Sequence, residues 1–464
     1  MDRAFRLSCS RMTLVVLALL PAMIARSAEP PAAEVLFRNV RVFDGTSPSL
    51  TAPTAVLVRG NTIAAIGVDT VAATPDTTIV DGKGRTLMPG LIDNHVHIFM
   101  SASSQAEMMD PKATFASLEA KAAEEARLML LRGFTSARDM GGPVFGIKRA
   151  IDQGKNIGPR IYASGAMISQ TSGHGDFRLP EDRSRRFGGQ MTVGELMGIG
   201  FIADGRDEVL TATRENLRAA ASQIKVMAGG GAASAYDPLD VSQYTLDELK
   251  AAVEAADDWN TYVTVHAYTP RAVRQAIEAG VRCIDHGQLL DEATAKLMAE
   301  KGVWWSLQPF LDDRPSPHAE GSANRRKQLE MYKGTDTAYA LARKHGIRTA
   351  WGTDTLFDAQ AAATQGAQLA KMVRWYTPAE VLAMATSVNA ELLALSGTRN
   401  PYPGKLGVVE EGAFADLLLV DGDPIANIAL IADPAKNFLV IMKDGRIHKN
   451  TLNSSMGEPP LGAR

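Results

Sequence analysis

Between residues 86 and 354, apolar strand-like runs alternate with Ala-rich stretches of helical character. This alternation is typical of repeated βα units and a parallel sheet. The predicted strands are Thr86–His97, Thr135–Asp139, Arg160–Gly165, Gln223–Met227, Tyr262–His266, Cys283–His286, Trp304–Gln308 and Thr349–Asp354. The clearest predicted helices are Glu119–Arg132, Leu246–Trp259, Pro270–Ala279, Asp291–Lys301 and Thr335–His345. Such units, repeated over about 270 residues, favour an α/β fold of the (β/α)8 TIM-type barrel class, with an open doubly wound sheet as the alternative.

The two ends of the chain have a different pattern. Short strand-like runs separated by Asp-Gly, Gly-Asn and Pro signals fill residues 35–80, and apolar runs at residues 414–420 and 438–442 precede Asp-Gly pairs. This pattern predicts one small β-sandwich domain built from both termini. The predicted boundaries are 29–86 and 400–450 for the β-sandwich, 87–399 for the barrel and 451–464 for a C-terminal tail.

The first 28 residues have the order of a secretory signal. Three arginines precede an apolar run at residues 12–24, and small residues follow it. Because this run is too short to span about 30 Å of hydrocarbon, we predict a signal peptide over residues 1–28, export to the periplasm or medium, and no stable membrane anchor. An uncleaved N-terminal anchor is the alternative. Loss of this segment would remove Cys9 and leave Cys283 as the only thiol, which excludes an internal disulfide in the mature chain.

The charge composition argues against a nucleic-acid partner. The chain has 49 Lys and Arg residues against 52 Asp and Glu residues, a formal net charge of -3, so it lacks a basic footprint. A small-molecule substrate is therefore expected. The sequence leaves open whether the protein forms a homo-oligomer, because no surface stripe in it predicts one.

Polar side chains occupy the ends of the predicted parallel strands. His95 and His97 lie two residues apart on the first strand and so project to the same side. Four more polar residues end strands four, five, six and eight: Lys225, His266, His286 and Asp354. Barrel active sites form at these strand ends, and this set of side chains predicts a metal site there. For the His pair alone, two hydrogen-bonded core imidazoles are the alternative.

These residues resemble those of the amidohydrolase superfamily of metal-dependent hydrolases. The resemblance covers nearly the whole mature chain, from the His-x-His strand to the segment Gly412–Asp416. Within the superfamily, the chain is similar to the branch of Xaa-Pro dipeptidases, Xaa-Arg carboxypeptidase-like enzymes and ochratoxin-hydrolysing amidases. The segments that carry this closer resemblance are Ile224–Gly231, Asn260–Tyr268 and Gly173–Asp176.

The resemblance implies a site for two divalent metal ions, most often zinc. The ligands that it implies are His95, His97 and Asp354 for one ion, and His266 and His286 for the other. Lys225, carboxylated by carbon dioxide, would bridge both ions. A hydroxide held between the ions would attack the amide carbonyl, and Asp354 would accept the proton of the bridging water and return it to the leaving nitrogen.

The connection after the third predicted strand is long and carries candidate substrate residues. It runs over residues 169–208, where about two to six residues would be usual. By resemblance, His174 contacts the substrate carbonyl or carboxylate and Tyr236 donates a hydrogen bond to the carbonyl oxygen, with a solvated His and a surface Tyr as the alternatives. Arg178 and Arg314 are candidates for pairing a terminal carboxylate, although solvated side chains are the simpler interpretation.

The sequence thus predicts hydrolysis of a peptide or N-acyl amino acid bond near a free carboxylate, ochratoxin-type amides included. Hydrolysis of a lactone, carbamate or other ester-like bond at the same metal site is the alternative. A metal-stabilised binding protein without turnover is disfavoured by Asp354, because an inactive descendant has no need of the base.

Overall fold

The computed structural model describes residues 33–67, 73–108, 110, 112–234 and 236–452. The predicted signal peptide and nearly all of the predicted tail lie outside these residues. The strands are β1 (Glu34–Val42), β2 (Thr54–Arg59), β3 (Thr62–Ile66), β4 (Thr78–Asp81), β5 (Thr86–Pro89), β6 (Leu91–Val96), β7 (Phe134–Asp139), β8 (Arg160–Ala163), β9 (Met167–Ser169), β10 (Gly200–Ile202), β11 (Ile224–Met227), β12 (Val263–Ala267), β13 (Cys283–His286), β14 (Trp304–Leu307), β15 (Thr349–Trp351), β16 (Leu417–Val420), β17 (Phe438–Lys443) and β18 (Arg446–Asn450).

Helices follow most of the central strands, as the alternation of apolar and helical stretches in the sequence predicts. They are α1 (Ile98–Ser101), α2 (Gln105–Met108), α3 (Phe115–Leu131), α4 (Phe145–Asp152), α5 (Val193–Met197), α6 (Arg206–Arg218), α7 (Leu246–Asp258), α8 (Pro270–Ala279), α9 (Glu292–Lys301), α10 (Ala323–Lys344), α11 (Ala359–Ala362), α12 (Gln365–Ala370), α13 (Pro378–Ala383), α14 (Asn389–Leu393) and α15 (Pro434–Asn437). Short 3-10 turns and a π-helical stretch at Met384–Val388 add to these.

Strands from both ends of the described chain share one eight-stranded sheet. Its order is β18-β17-β16-β5-β1-β2-β3, and β4 pairs with β1. β5 lies parallel to β1 and antiparallel to β16, so it joins the N-terminal strands to the C-terminal ones. Phe37, Val56, Leu87 and Leu419 are fully buried in the core packed against this sheet. β1 pairs with β2 and β4 through residues 34–40 and with β5 through Arg41 and Val42, so it is shared by two groups of strands. This pairing does not by itself confirm the two facing sheets of the predicted sandwich.

The predicted strand Thr86–His97 is two strands. β5 belongs to the mixed sheet, whereas β6 pairs in parallel with β7. The chain passes between the two at Gly90, where an added Cβ would lie 2.1 Å from Thr135 Oγ1, so a larger residue does not fit. Because apolar residues lie on both sides of Gly90, the sequence pattern did not reveal that one strand ends there and another begins.

The remaining strands are parallel and form two sheets. One is β6-β7-β8, and the other is β10-β9-β11-β12-β13-β14-β15. Backbone hydrogen bonds link them at both junctions: Ser222 N donates to Ala163 O at 2.8 Å, and Asp354 N donates to His95 O at 2.8 Å. Because parallel strands end on a common side, the residues at and just beyond the carboxyl ends of β6, β11, β12, β13 and β15 are brought close together.

Two predictions for the segments that connect these strands need correction. The predicted long connection is partly regular, since it contains α5 and β10, and β10 pairs in parallel with β9. The predicted helix Thr335–His345 is only the second half of α10. This helix begins earlier because Ser322 Oγ accepts a hydrogen bond from Arg325 N at 3.1 Å and caps its first turn.

One helical run, Pro378–Arg399, has the length and apolar composition of a membrane span, with a mean hydropathy of 1.2. A single helix of this kind is weak evidence for a span, because core helices pass the same test, and half of this stretch is buried. Asn389 Nδ2 within the run donates to Ile92 O and Trp351 O, both at 2.8 Å. The run therefore packs against β6 and β15.

Candidate metal centre

The predicted metal ligands line one cavity of about 350 Å³ at the ends of the parallel strands. The polar side chains in its wall include His95, His97, His174, Lys225, His266, His286 and Asp354. All four predicted imidazole ligands and Lys225 are less than 5% exposed. Side chains from different strands that are this deeply buried around one space form the candidate functional site.

Asp354 is the point on which three imidazoles converge. Its Oδ1 lies 3.2 Å from Nε2 of both His95 and His97, and its Oδ2 lies 3.9 Å from His286 Nδ1. Ligand atoms of His95, His286 and Asp354 all lie within 4.8 Å of one another. This spacing suits the nitrogen and oxygen ligands of one small ion.

The backbone is left-handed at two of these positions. His286 has φ 76° and Asp354 has φ 49°, conformations that side chains other than Gly adopt rarely. On a regular strand the consecutive residues Asp285 and His286 would point to opposite faces. The left-handed turn breaks that alternation, so that Asp285 reaches His95 while His286 faces Asp354. Such strain costs about 1–3 kcal/mol per residue and tends to collect at functional sites.

Burial and neighbouring charges set the protonation of the ligands. Burial lowers the pKa of His286 to about 3 and that of His266 well below its usual range. Burial alone would raise the pKa of Asp354, but the surrounding imidazoles outweigh it and hold that pKa well below its usual range. Burial also opposes charge on His95, but the carboxylates of Asp354 and Asp285 outweigh it and raise the pKa of His95. The site therefore combines two neutral imidazoles, His266 and His286, with an ionised carboxylate, and a divalent ion bound there would displace the proton of His95.

The outer nitrogens of three imidazoles are held by hydrogen bonds. His97 Nδ1 lies 3.2 Å from Gly141 O, His266 Nε2 lies 3.1 Å from Gly230 O, and His286 Nδ1 lies 2.8 Å from Gln308 Oε1. Bonds of this kind fix the tautomer and leave the other ring nitrogen for a metal, Nε2 in His97 and His286 and Nδ1 in His266. His286 Nδ1, which lies 3.9 Å from Asp354 Oδ2, is bonded to Gln308, so His286 would bind an ion through Nε2. Among the described residues, the buried His95 Nε2 has no hydrogen-bond partner, although Asp354 lies close to it. These residues fit a metal ion.

Lys225 is paired with Asp285, which is not among the site residues predicted from the sequence. Lys225 Nζ lies 2.7 Å from Asp285 Oδ2, and Arg138 Nη2 lies 2.7 Å from Asp285 Oδ1. Thr264 Oγ1 also donates to Asp285 at 2.8 Å, and His95 Nδ1 lies 3.3 Å away. Arg138 and Asp285 are fully buried, and a charged residue within an apolar strand was the sequence signal that could have revealed them.

His174 lies in the pocket and Tyr236 does not line it. The His174 ring stacks on the His266 ring, with centroids 4.0 Å apart, and its Nδ1 contacts Ser234 Oγ at 2.6 Å and Asp237 Oδ2 at 3.1 Å. Tyr236 is 53% exposed, and the described lining of the pocket does not include it. Its hydrogen bond to a substrate carbonyl stays a prediction.

The two candidate arginines differ in their surroundings. Arg178 Nη2 lies 2.5 Å from Asp176 Oδ2, so its charge is already paired by a neighbour in the loop. Arg314 is exposed and lines the pocket together with His318. Of the two, Arg314 is the residue in a position to meet a ligand at the metal centre.

Comparison with known proteins supplies the family. The model of the amidohydrolase family matches residues 86–448, which is most of the chain. The chain belongs to the amidohydrolase family. Ochratoxinase from Aspergillus niger is 33% identical over 386 residues, which cover 80% of this chain and 77% of the relative.

Solved structures of other amidohydrolases have the same overall fold. A prolidase complexed with N-methylphosphonate-L-proline is 32% identical, with a TM-score of 0.82 over 90% of this chain and all of that one. The A. niger ochratoxinase structure is 28% identical, with a TM-score of 0.78 over 91% of this chain and 96% of that one. The fold is therefore an α/β fold of the TIM-barrel type, and the protein is a hydrolase that acts on carbon–nitrogen bonds. Amidohydrolases generally use divalent metals, and His95, His286 and Asp354 form a candidate site for one.

Proposed function

We propose that the protein is a binuclear metal-dependent amidohydrolase that cleaves a peptide or N-acyl amino acid bond beside a free carboxylate. The observation that carries this proposal is the buried convergence of His95, His97 and His286 on Asp354 in one pocket. Similarity to a prolidase and to ochratoxinase supports an amide as the substrate.

The proposed ligands divide into two groups. His95, His97 and Asp354 would hold one zinc ion, and His266 and His286 the other. Two bound ions supply a nucleophile made from water at neutral pH and a Lewis acid for the scissile carbonyl. Lys225, as a carbamate, would bridge the ions, because its two anionic oxygens attract cations that an ammonium group would repel. Asp285 would keep Arg138 as its counterion when Lys225 loses its positive charge.

Asp354 is the proposed general base. Its carboxylate is ionised and lies in the pocket wall, so it can accept a proton from the attacking water and deliver it to the leaving nitrogen. His174 faces the same space and would orient the substrate carbonyl or carboxylate, with Ser234 and Asp237 fixing its ring. A group as buried as His174 holds one orientation and loses little entropy on binding.

Arg314 and His318 support a substrate with a free carboxylate. Both line the pocket, and both lie in the connection between β14 and α10. A guanidinium group pairs with a carboxylate through two parallel hydrogen bonds, which fixes the direction of the substrate as well as binding it. A carboxylate at this position would place the adjoining amide within the metal pocket.

We extend the proposal to the arrangement and location of the chain. The two parallel sheets would close into a (β/α)8 barrel, for which the hydrogen bonds at both junctions provide support. The eight-stranded mixed sheet would form the small terminal domain. The order of residues 1–28 supports export.

A substrate panel tests the proposed function. We expect turnover of dipeptides and N-acyl amino acids, a loss of at least about 10-fold in kcat/KM when their carboxylate is a methyl ester, and weaker turnover of lactones and aryl esters. The methyl ester removes the charge that would meet Arg314 but leaves the amide unchanged. Turnover of lactones or esters alone, with no amide cleaved, would contradict the proposal.

A further inference from the structure

A second cavity adjoins the metal pocket. It has a volume of about 360 Å³, and four residues line both spaces: Met100, Gln105, Phe177 and Phe357. The two cavities therefore meet at these side chains. We call the second space the side cavity.

The lining of the side cavity is mainly apolar, and several of its charged groups already have partners. Its apolar residues include Met108, Leu179, Met191, Val193 and Ile202. Arg178 pairs with Asp176, and Glu195 Oε2 accepts from Thr192 N at 2.9 Å in the cap of α5. Leu179 and Val193 are 54% and 57% exposed. Large apolar side chains that are left exposed around a cavity indicate a site for an apolar group.

Phe357 stands in the wall between the two cavities in a strained conformation. Its φ is 56°, which is unusual for so large a side chain, and its N–H donates to Met100 O at 3.1 Å. Strain of about 1–3 kcal/mol persists only where the surroundings hold it, and it is common at ligand-binding positions. The strained turn keeps the Phe357 ring at the passage between the metal pocket and the side cavity.

The side cavity and Arg314 lie beside the ends of different strands. Much of the side-cavity lining comes from the connection between β9 and α6, whereas Arg314 follows β14. Three strands, β11, β12 and β13, separate β9 from β14 in their sheet. A substrate whose carboxylate meets Arg314 would therefore direct its other end away from β14 and towards the side cavity.

We propose that the side cavity binds the acyl group of the substrate and that the protein prefers amides with a large apolar acyl group, aromatic or long-chain aliphatic. This inference rests on the proposed function. An apolar cavity of about 150 Å³ holds one benzene ring, so the side cavity has room for a fused two-ring group.

Filling the side cavity tests this inference. Gly194 lines it, and a Cβ added there would have Thr192 Oγ1 as its nearest neighbour at 3.8 Å, so Gly194→Phe fits locally and projects a ring from a wall residue. Leu196→Phe is the matched control, because Leu196 is 69% exposed on the same helix and does not appear in the described lining. The substrates are the N-acetyl and N-(2-naphthoyl) derivatives of one amino acid, and calorimetric binding of 2-naphthoate gives a readout that needs no turnover.

We expect Gly194→Phe to lower kcat/KM for the naphthoyl substrate and the affinity for 2-naphthoate by at least about 10-fold, with little effect on the acetyl substrate. Leu196→Phe should behave as the parent does. Equal effects on both substrates, or unchanged naphthoate binding in Gly194→Phe, would overturn the inference. A parent protein that binds naphthoate in this Gly194-dependent way but cleaves neither amide would reject the proposed function and the preference among amides, and would support only the part of the inference that places an apolar group in the side cavity.

Discussion

Lys225→Ala is expected to lose most of its bound metal and at least about 100-fold in kcat/KM for an N-acyl amino acid. The side chain is buried in the pocket wall and is proposed to supply the bridge between the two ions. Asp285 keeps Arg138 and Thr264 as partners, so the loss of stability should stay below about 3–5 kcal/mol, the cost of breaking a buried pair completely. Metal content, turnover and a denaturant melt measure these three effects separately.

Chemical rescue of the Lys225→Ala variant by small carboxylic acids distinguishes a bridging carbamate at Lys225 from a lysine whose positive charge is structural. Short carboxylic acids such as acetate and propionate can enter the space left by the Lys225 side chain and supply two anionic oxygens, so they should restore part of the turnover. The control is Lys301→Ala, because Lys301 is exposed in the last turn of α9. Turnover and metal content of Lys225→Ala equal to those of the parent would show that Lys225 is not a bridging ligand.

Asp354→Asn is expected to lower kcat by about 10²- to 10⁴-fold, the usual contribution of a general base. The amide keeps the shape of the carboxylate and one oxygen towards His95 and His97, so the variant should retain much of its metal. It cannot hold the proton that the proposed mechanism passes to the leaving nitrogen. Steady-state kinetics with metal analysis of the same sample separates a missing base from a missing ion.

The control for this variant is Asp207→Asn, an exposed carboxylate in the first turn of α6. It should keep the turnover and the metal content of the parent. If Asp354→Asn turned over at the undiminished rate, Asp354 would not be the base. A variant that lost its metal in parallel with its activity would instead make Asp354 a ligand alone.

The sequence could predict which residues meet at the candidate site, because their meeting depends on the order and direction of the parallel strands. Lys225 and His266 lie within the last three residues of the neighbouring parallel strands β11 and β12, as the alternation of apolar runs with helices predicts. Met227 of β11 is paired directly with His266 of β12. Once the strands were placed, their common direction brought the polar ends to one side. The family resemblance then supplied roles that position alone does not give.

Other features depended on local conformation that residue patterns do not encode. The left-handed backbone at His286 and Asp354 places non-glycine residues where propensity disfavours them, because the surrounding packing holds them there. The passage between sheets at Gly90 occurs within continuous apolar sequence. The pairing of Arg138 with Asp285 joins residues far apart in sequence, and a single sequence read by itself does not show which distant residues pair.

Turnover should require bound divalent metal. Protein purified without added metal would be analysed for divalent ions, stripped with a chelator, and assayed on an N-acyl amino acid before and after zinc is returned. We expect about two ions per chain, loss of turnover on stripping and recovery with zinc. Stripped protein that contains no divalent ion and still cleaves the amide at the original rate would contradict it.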